Sequence, residues 1–275
     1  MTKNDDIFRF TSEFSFENPA LIVGWSQDSG GLSPKVIDYI NQKTKSTGFC
    51  EIEPAGFFPL AGVNIENDVA QFPQSSFCYS QKHQLVTLKA SEPQSEAYKF
   101  LSAVLDVAGY YCKSKELYTI NAILSQTAHT NPRRILAVFN QAKLKKALRV
   151  YSLVDMTWQG KPHLSSYLLW LAKIRDISGV SLWTEVPFYL AAVEDFESIK
   201  TTVSFFDQRF ALGTDTGVLD KHISQQDQKL KALRQENDDI NRCIEALEIG
   251  LSLNEQEQMQ IIRAVSEALS NRPVQ

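Results

Sequence analysis

The sequence predicts an α/β/α sandwich, a sheet covered by helices on both faces, followed by a helical, coiled-coil-like extension. Three observations carry this. An apolar run from Ala20 to Val23 passes through glycines into a helix, strand-like and helix-like periods then alternate as far as Leu212, and from Leu219 the apolar spacing becomes heptad. The boundary is set accordingly, with an α/β/α core at residues 1–215 and the helical extension at 216–275.

The first strand, Ala20 to Val23, is continuously apolar, as a strand buried on both faces requires. Ser33 and Pro34 then read as the N-cap and first-turn proline of a helix carrying Val36, Ile37 and Ile40. In open α/β sheets a strand-to-helix turn of this kind is where ligands usually sit. The candidate cleft is therefore Gly24, Trp25, Ser26, Asp28, Gly30 and Gly31, joined by Glu185 and Tyr189 from a late strand.

Spacing tests what that turn could bind. A phosphate loop needs glycines five apart followed by Lys and Ser or Thr, but Ser29 stands five residues after Gly24 and no Lys follows it. Ser26 occupies the place of the second glycine in a dinucleotide fingerprint. A nucleophile elbow, Gly-x-Ser-x-Gly, is missed only at its last position, where Asp28 replaces glycine. That acid also opposes an anion: two like charges about 4 Å apart repel by roughly 4 kcal/mol at an effective dielectric of 20. The helix terminus returns only about 0.3 to 1 kcal/mol.

Beyond the first helix, Cys50 to Glu53, Val63 to Glu66 and Phe77 to Tyr79 are short strand candidates separated by proline-containing turns, and Gln84 to Leu88 is a core strand. Ser95 to Lys113 has helical spacing, and Leu117 to Leu124 is the next strand. The pattern continues with a strand at Arg134 to Phe139, helices at Gln141 to Leu148 and Leu164 to Ile174, a strand at Val180 to Glu185 and a helix at Phe196 to Leu212. Between them, Thr127 to Arg133, with His129 and Pro132, is either a functional loop at a strand end or a surface connection.

From Leu219 the seam runs through Ile223, Gln226, Leu230, Leu233, Asn237, Ile240, Ile244, Leu247 and Leu251, over more than four heptads. Gln226 and Asn237 are polar seam positions of the kind that fix register. Two arrangements satisfy the pattern: an oligomer seam of Leu219, Ile223, Leu230, Leu233, Ile240, Ile244 and Leu247, or a hairpin folded back on its own domain. Asn254-Glu-Gln-Glu caps a last helix bearing Met259, Ile262, Val265 and Leu269.

Composition narrows the function classes. With 43% hydrophobic and 22% charged residues in 275, the chain is ordinary globular material. A net charge of -4 and the lack of a basic block interleaved with aromatics argue against nucleic acid and membrane partners. The acidic start and the absence of a long apolar run predict neither a signal peptide nor a membrane span. Cys50, Cys78, Cys112 and Cys243 form no paired motif and read as reduced, mostly structural thiols of a cytoplasmic protein.

The chemistry is sparse. His83, His129, His163 and His222 are isolated from other ligands at recognised spacing, so neither a metal nor a cofactor is expected. Ser26, Asp176 and His222 keep the hydrolase triad order, although His222 lies within the heptads. Glu185, at a strand end, is either a general base or hydrogen-bond acceptor or an acid paired locally. Trp25, Trp183 and Tyr189 line either a pocket or a core or subunit interface.

The turn Ile22-Val-Gly-Trp-Ser-Gln-Asp-Ser-Gly-Gly and the segment Gly179-Val-Ser-Leu-Trp-Thr-Glu-Val-Pro-Phe-Tyr-Leu190 resemble the proteasome-assembly-chaperone-two family over Ala20 to His222. The resemblance implies a sandwich similar to the phosphorylase/hydrolase fold and a homo-oligomer, a trimer among the arrangements open to it. Some relatives dock on proteasome α subunits through a C-terminal hydrophobic-tyrosine-any tripeptide. This chain ends Pro273-Val274-Gln275, so that docking tail is not expected. The expected function is a non-enzymatic, oligomeric protein-binding or assembly-chaperone-like protein. The alternative is a hydrolase or phosphorylase-like enzyme using the Gly24 to Gly31 cleft.

Overall fold

The computed structural model describes residues 7–59, 63–66, 68–157 and 163–270. Among them, nine strands form one mixed sheet in the order β1-β3-β6-β7-β2-β8-β11-β9-β10. These are β1 (Phe8–Phe10), β2 (Ala20–Trp25), β3 (Thr47–Ile52), β6 (Ser75–Ser80), β7 (Leu85–Ala90), β8 (Glu116–Ser125), β9 (Ile135–Phe139), β10 (Val154–Asp155) and β11 (Ser178–Pro187). The centre, β7-β2-β8-β11, is parallel, and β6 and β9 flank it antiparallel. Every residue of β2 is buried, which is why its sequence is apolar without alternation.

Helices cover both faces. On one, α1 (Leu32–Thr44) and α5 (Phe196–Phe210) pack Val36, Ile37, Val203 and Phe206 against Ile22, Tyr118 and Leu182. On the other, α2 (Ala97–Leu105) and α4 (Leu164–Ile174) pack Phe100, Val104, Leu168 and Ala172 against Val23, Leu88 and Leu117. The short α3 (Ala142–Leu148) joins the α1 and α5 face through Leu144 and Leu148.

The extension folds back. Helices α6 (Gly217–Glu236), α7 (Asp238–Glu248) and α8 (Glu255–Leu269) enclose a third core of Leu230, Ile240, Ile244, Leu247, Ile261 and Val265 around Val186, Tyr189 and Leu190. Of the seam residues, Leu219, Leu230, Ile240, Ile244 and Leu247 are thus buried within their own chain, while Ile223 and Leu233 are half-buried and Leu251 is exposed. The heptad is not one continuous helix: Asn237 breaks it, its side chain accepting from the N–H groups of Asp239 and Ile240 to cap α7. Gln226 likewise fixes no register between helices of a coil, since its Nε2 donates to the Glu194 carbonyl at 2.8 Å. The Asn254 cap is realised as a full capping box with Glu257.

Other boundaries shift for local reasons. Helix α1 begins at Leu32 rather than after a Ser33 cap, because the turn before it is already capped by Asp28 and Ser33 sits inside, its Oγ donating to the Ile120 carbonyl at 2.6 Å. The strand expected at Val63 to Glu66 forms β4 (Asn64–Glu66), but it pairs only with β5 (Val69–Gln71) in a separate hairpin. The helix expected to reach Lys113 loosens after Leu105 into a π turn, Asp106–Tyr111. Edge strands β1 and β10 have three and two residues, too short to show a period. Pro273 to Gln275 lie outside the described residues.

Candidate functional site

Strands β2, β7, β8 and β11 end on the same edge of the sheet, and the glycine turn lies there. Gly30 and Gly31 have φ of 64° and 62°, a left-handed conformation that side chains disfavour. A Cβ on Gly30 would also stand 3.0 Å from Val186, and one on Gly24 would stand 2.6 Å from Ile37. These glycines serve close packing. Gly30 is stitched to the chain after β11, its N–H donating to the Ala191 carbonyl at 2.9 Å and its carbonyl accepting from Asp195 N–H at 3.1 Å.

Asp28 fastens the turn to β8. Its carboxylate accepts from the backbone N–H groups of Ser29 (3.0 Å), Ser33 (3.2 Å) and Ala122 (3.0 Å). Burial pushes its pKa up to about 6, against the pull of those donors. Trp25 points away into the α4 side, 2% exposed, its Nε1 donating to Ser165 Oγ at 2.7 Å. Ser165 continues to Asn121 Oδ1 at 2.6 Å, and Asn121 to Ser181 Oγ at 3.0 Å. Ser26 is exposed on the rim.

The late-strand residues reach the same edge but separate partners. Glu185 forms a bidentate pair with Arg134, at 2.8 and 2.6 Å. The Tyr189 hydroxyl accepts from His129 N–H and lies 2.9 Å from its Nδ1. Burial raises the phenol and lowers His129 to about 4, so the imidazole is neutral at physiological pH. Trp183 meets His163 edge to face at 5.0 Å between centroids, apart from Tyr189.

A deeper pair escapes sequence reading. Arg133 and Asp195, each side chain 1% exposed, meet through Nε and Oδ2 at 2.9 Å and NH2 and Oδ1 at 3.2 Å. The Arg133 NH1 donates to the carbonyls of Ala128, His129 and Asn131, so this buried cation shapes the 127–133 loop. Ser198 Oγ hydrogen-bonds Asp195, whose residue precedes α5. The signal was two adjacent arginines before an apolar strand and an acid at a helix start, which adjacency alone could not pair. Beside His129, a cavity of about 600 Å³ opens between the loop and helices α6 and α7, lined in part by Asp227, Lys231 and Arg234.

The Ser26, Asp176 and His222 order does not become a triad. Asp176 precedes the start of β11, whereas the register through β8 puts Ser26 level with Thr184, eight residues further along, a span of about 26 Å. His222 instead stacks on Phe196 at 4.7 Å. Among the described residues, no group of three His, Cys, Asp or Glu side chains could hold a metal ion. Nor is any helix among them long and apolar enough to cross a membrane.

The sequence profile of the PAC2 family matches residues 21–234, from the first buried strand through most of α6. The chain belongs to the PAC2 family. Its fold is similar to that of a Corynebacterium glutamicum protein of unknown function, with a TM-score of 0.75 and 16% identity over 94% of this chain and 99% of that one. It is also similar to Pyrococcus furiosus PbaB, an archaeal proteasome activator, with a TM-score of 0.69 and 18% identity over 82% and 98% of the two chains. A Mycobacterium tuberculosis protein of unknown function aligns with a TM-score of 0.74 and 13% identity, over 97% of this chain and 93% of that one. No curated protein sequence matches the chain significantly. In this chain the PAC2 fold is a mixed α/β sheet with helices on both faces, and its glycine turn is a point of close packing.

Proposed function

We propose that this chain is a non-enzymatic, homo-oligomeric, assembly-chaperone-like protein of the cytoplasm, acting through protein contacts made by a body of residues 1–215 and a helical extension, 216–275. One observation carries the reading: at the sheet edge where an α/β enzyme would hold its substrate, the acids and the phenol are engaged by their own chain. Asp28 is held by three backbone N–H groups, Glu185 by Arg134 and Tyr189 by His129. A reacting carboxylate must reach its substrate within hydrogen-bond distance, and these are committed elsewhere.

Membership of the PAC2 family and likeness to an archaeal proteasome activator support a role in protein assembly. The body also fits the phosphorylase/hydrolase-like sandwich that the family resemblance implies, a likeness of fold that carries no reaction.

Affinity capture from native lysate followed by native mass spectrometry tests this. The reading expects a multimer or a defined protein partner in fixed stoichiometry. It is overturned by recovery of the single chain alone, or by an ester- or phosphate-cleaving activity that Ser26→Ala abolishes.

A further inference from the structure

The cavity of about 600 Å³ between the 127–133 loop and helices α6 and α7 has the volume of a small-molecule site, and His129, Asp227, Lys231, Arg234 and Gln235 line it. Its wall is built of side chains that hold one another. The Arg234 guanidinium donates to Glu248 at 2.7 and 3.3 Å and to Asn241 Oδ1 at 2.8 Å, and Thr130 Oγ1 donates to the same Glu248 at 2.9 Å. Loop and helices are thus tied together around the cavity, and Arg234 already has its partners.

His129 presents one fixed donor. The buried Tyr189 hydroxyl accepts from the His129 backbone N–H, so its own hydrogen goes to His129 Nδ1 at 2.9 Å. Nδ1 is therefore the acceptor, and the ring proton sits on Nε2, on the side of the imidazole turned away from Tyr189. Among the described residues this Nε2–H has no acceptor. Burial lowers the ring to a pKa of about 4, so His129 offers an N–H and no charge.

On α6, Asp227 and Lys231 stand one turn apart on the cavity side, the spacing at which an acid and a lysine commonly pair. They do not pair here, and among the described residues neither has another hydrogen-bond or ion-pair partner. Partial burial raises the Asp227 carboxyl above its ordinary value, against the pull of Arg133, as expected of an acid without a cation of its own. The Gln235 amide, one turn beyond Lys231, is likewise free among the described residues. Asp238 lies at the same mouth, but in the first turn of α7, where the positive end of the helix offsets it.

We infer that this cavity binds a free α-amino acid with an uncharged polar side chain. The ligand carboxylate takes the His129 Nε2–H and the Lys231 ammonium, the ligand ammonium takes Asp227, and the side chain reaches the Gln235 amide. A lone anion meets Asp227 and a lone cation meets Lys231, so the free groups suit a ligand that carries both charges. Binding of this kind needs no reaction and goes beyond the oligomeric reading above, which stands or falls separately.

Isothermal titration calorimetry of the full chain with L-glutamine tests the inference, beside two probes that each lack one charge, N-acetyl-L-glutamine and L-glutaminamide. L-glutamine is expected to bind, and each of the others to bind at least about tenfold more weakly, as the loss of one charged hydrogen bond predicts. Lys231→Met should weaken L-glutamine by a similar factor and remove its advantage over L-glutaminamide. Asp227→Asn should do the same against N-acetyl-L-glutamine. Both residues are exposed, and circular dichroism checks that each variant unfolds like the wild type. No heat with millimolar L-glutamine, equal binding of the three probes, or unchanged affinity in both variants overturns the inference. Tighter binding of inorganic phosphate than of L-glutamine would make the cavity an anion site and overturn it as well.

Discussion

The sheet edge at the glycine turn and the outer face of α2 and α4 solve opposite problems with the same kinds of residue. At the edge, charged and aromatic groups are turned inward and consumed: Arg133 by Asp195, Tyr189 by His129, and Asp28 by the backbone of three elements. On the outer face, Trp170, Tyr98 and Ile174 remain uncovered, although the helices that carry them are well anchored beneath. A buried polar group is costly unless it is paired, so the edge gains definition from its pairings. An uncovered aromatic contributes little to one copy's own stability and is free to contribute to association. The edge is therefore where substitutions should cost stability, and the outer face is where they should cost little.

Mutations sharpen this difference. The largest effect is expected at the buried ion pair, where Asp195→Ala leaves Arg133 charged and unpaired and should cost about 3 to 5 kcal/mol in denaturant unfolding. Leu247→Ala, within the core between α7 and the body, should cost about 2 to 5 kcal/mol, as large-to-small changes in packed cores do. The same change at exposed Leu251 should stay within about 0.5 kcal/mol. Equal effects at the two leucines would return the heptad to an association seam.

Asp28→Asn is expected to cost about 1 to 3 kcal/mol, because an amide group must replace an acceptor facing backbone N–H donors. Its pH dependence has a defined sign. The folded pKa of about 6 lies above the ordinary 3.8, so Asp28 contributes most below pH 3.8 and loses that contribution as pH rises through about 6. The stability gap between wild type and Asp28→Asn should therefore narrow from pH 4.5 to pH 7.5, as read from denaturant midpoints. A widening gap would mean that the backbone donors outweigh burial. The smallest effect is expected on the open face, where Tyr98→Ser should change the unfolding midpoint by less than about 0.5 kcal/mol.

Much of the fold is legible in the sequence because its signals are local. The buried run at Ala20, the helical spacing of Leu164 to Ile174 and the Asn254 capping box each involve neighbours in sequence. The heptad from Leu219 is legible as apolar spacing, but its occupant is not, since Val186, Tyr189 and Leu190 arrive from 40 residues or more upstream of Leu230 to fill the space between the helices. The candidate site is legible in part. Gly24, Asp28, Glu185 and Tyr189 do gather at one sheet edge, but whether an acid is free or spent depends on distant partners such as Ala122, Arg134 and His129. The Arg133 and Asp195 pair, 62 positions apart, leaves no local pattern at all.

Hydrogen exchange at the sheet edge tests the closed-edge account most directly. If the chain seals this edge with its own groups, the amides of Gly30, Ser33, Ala122 and His129, each donating to a named acceptor, should exchange only through global unfolding. Exchange of these four amides within minutes, at the rate of exposed loop amides, would show an edge open to solvent and ligand and would contradict the account.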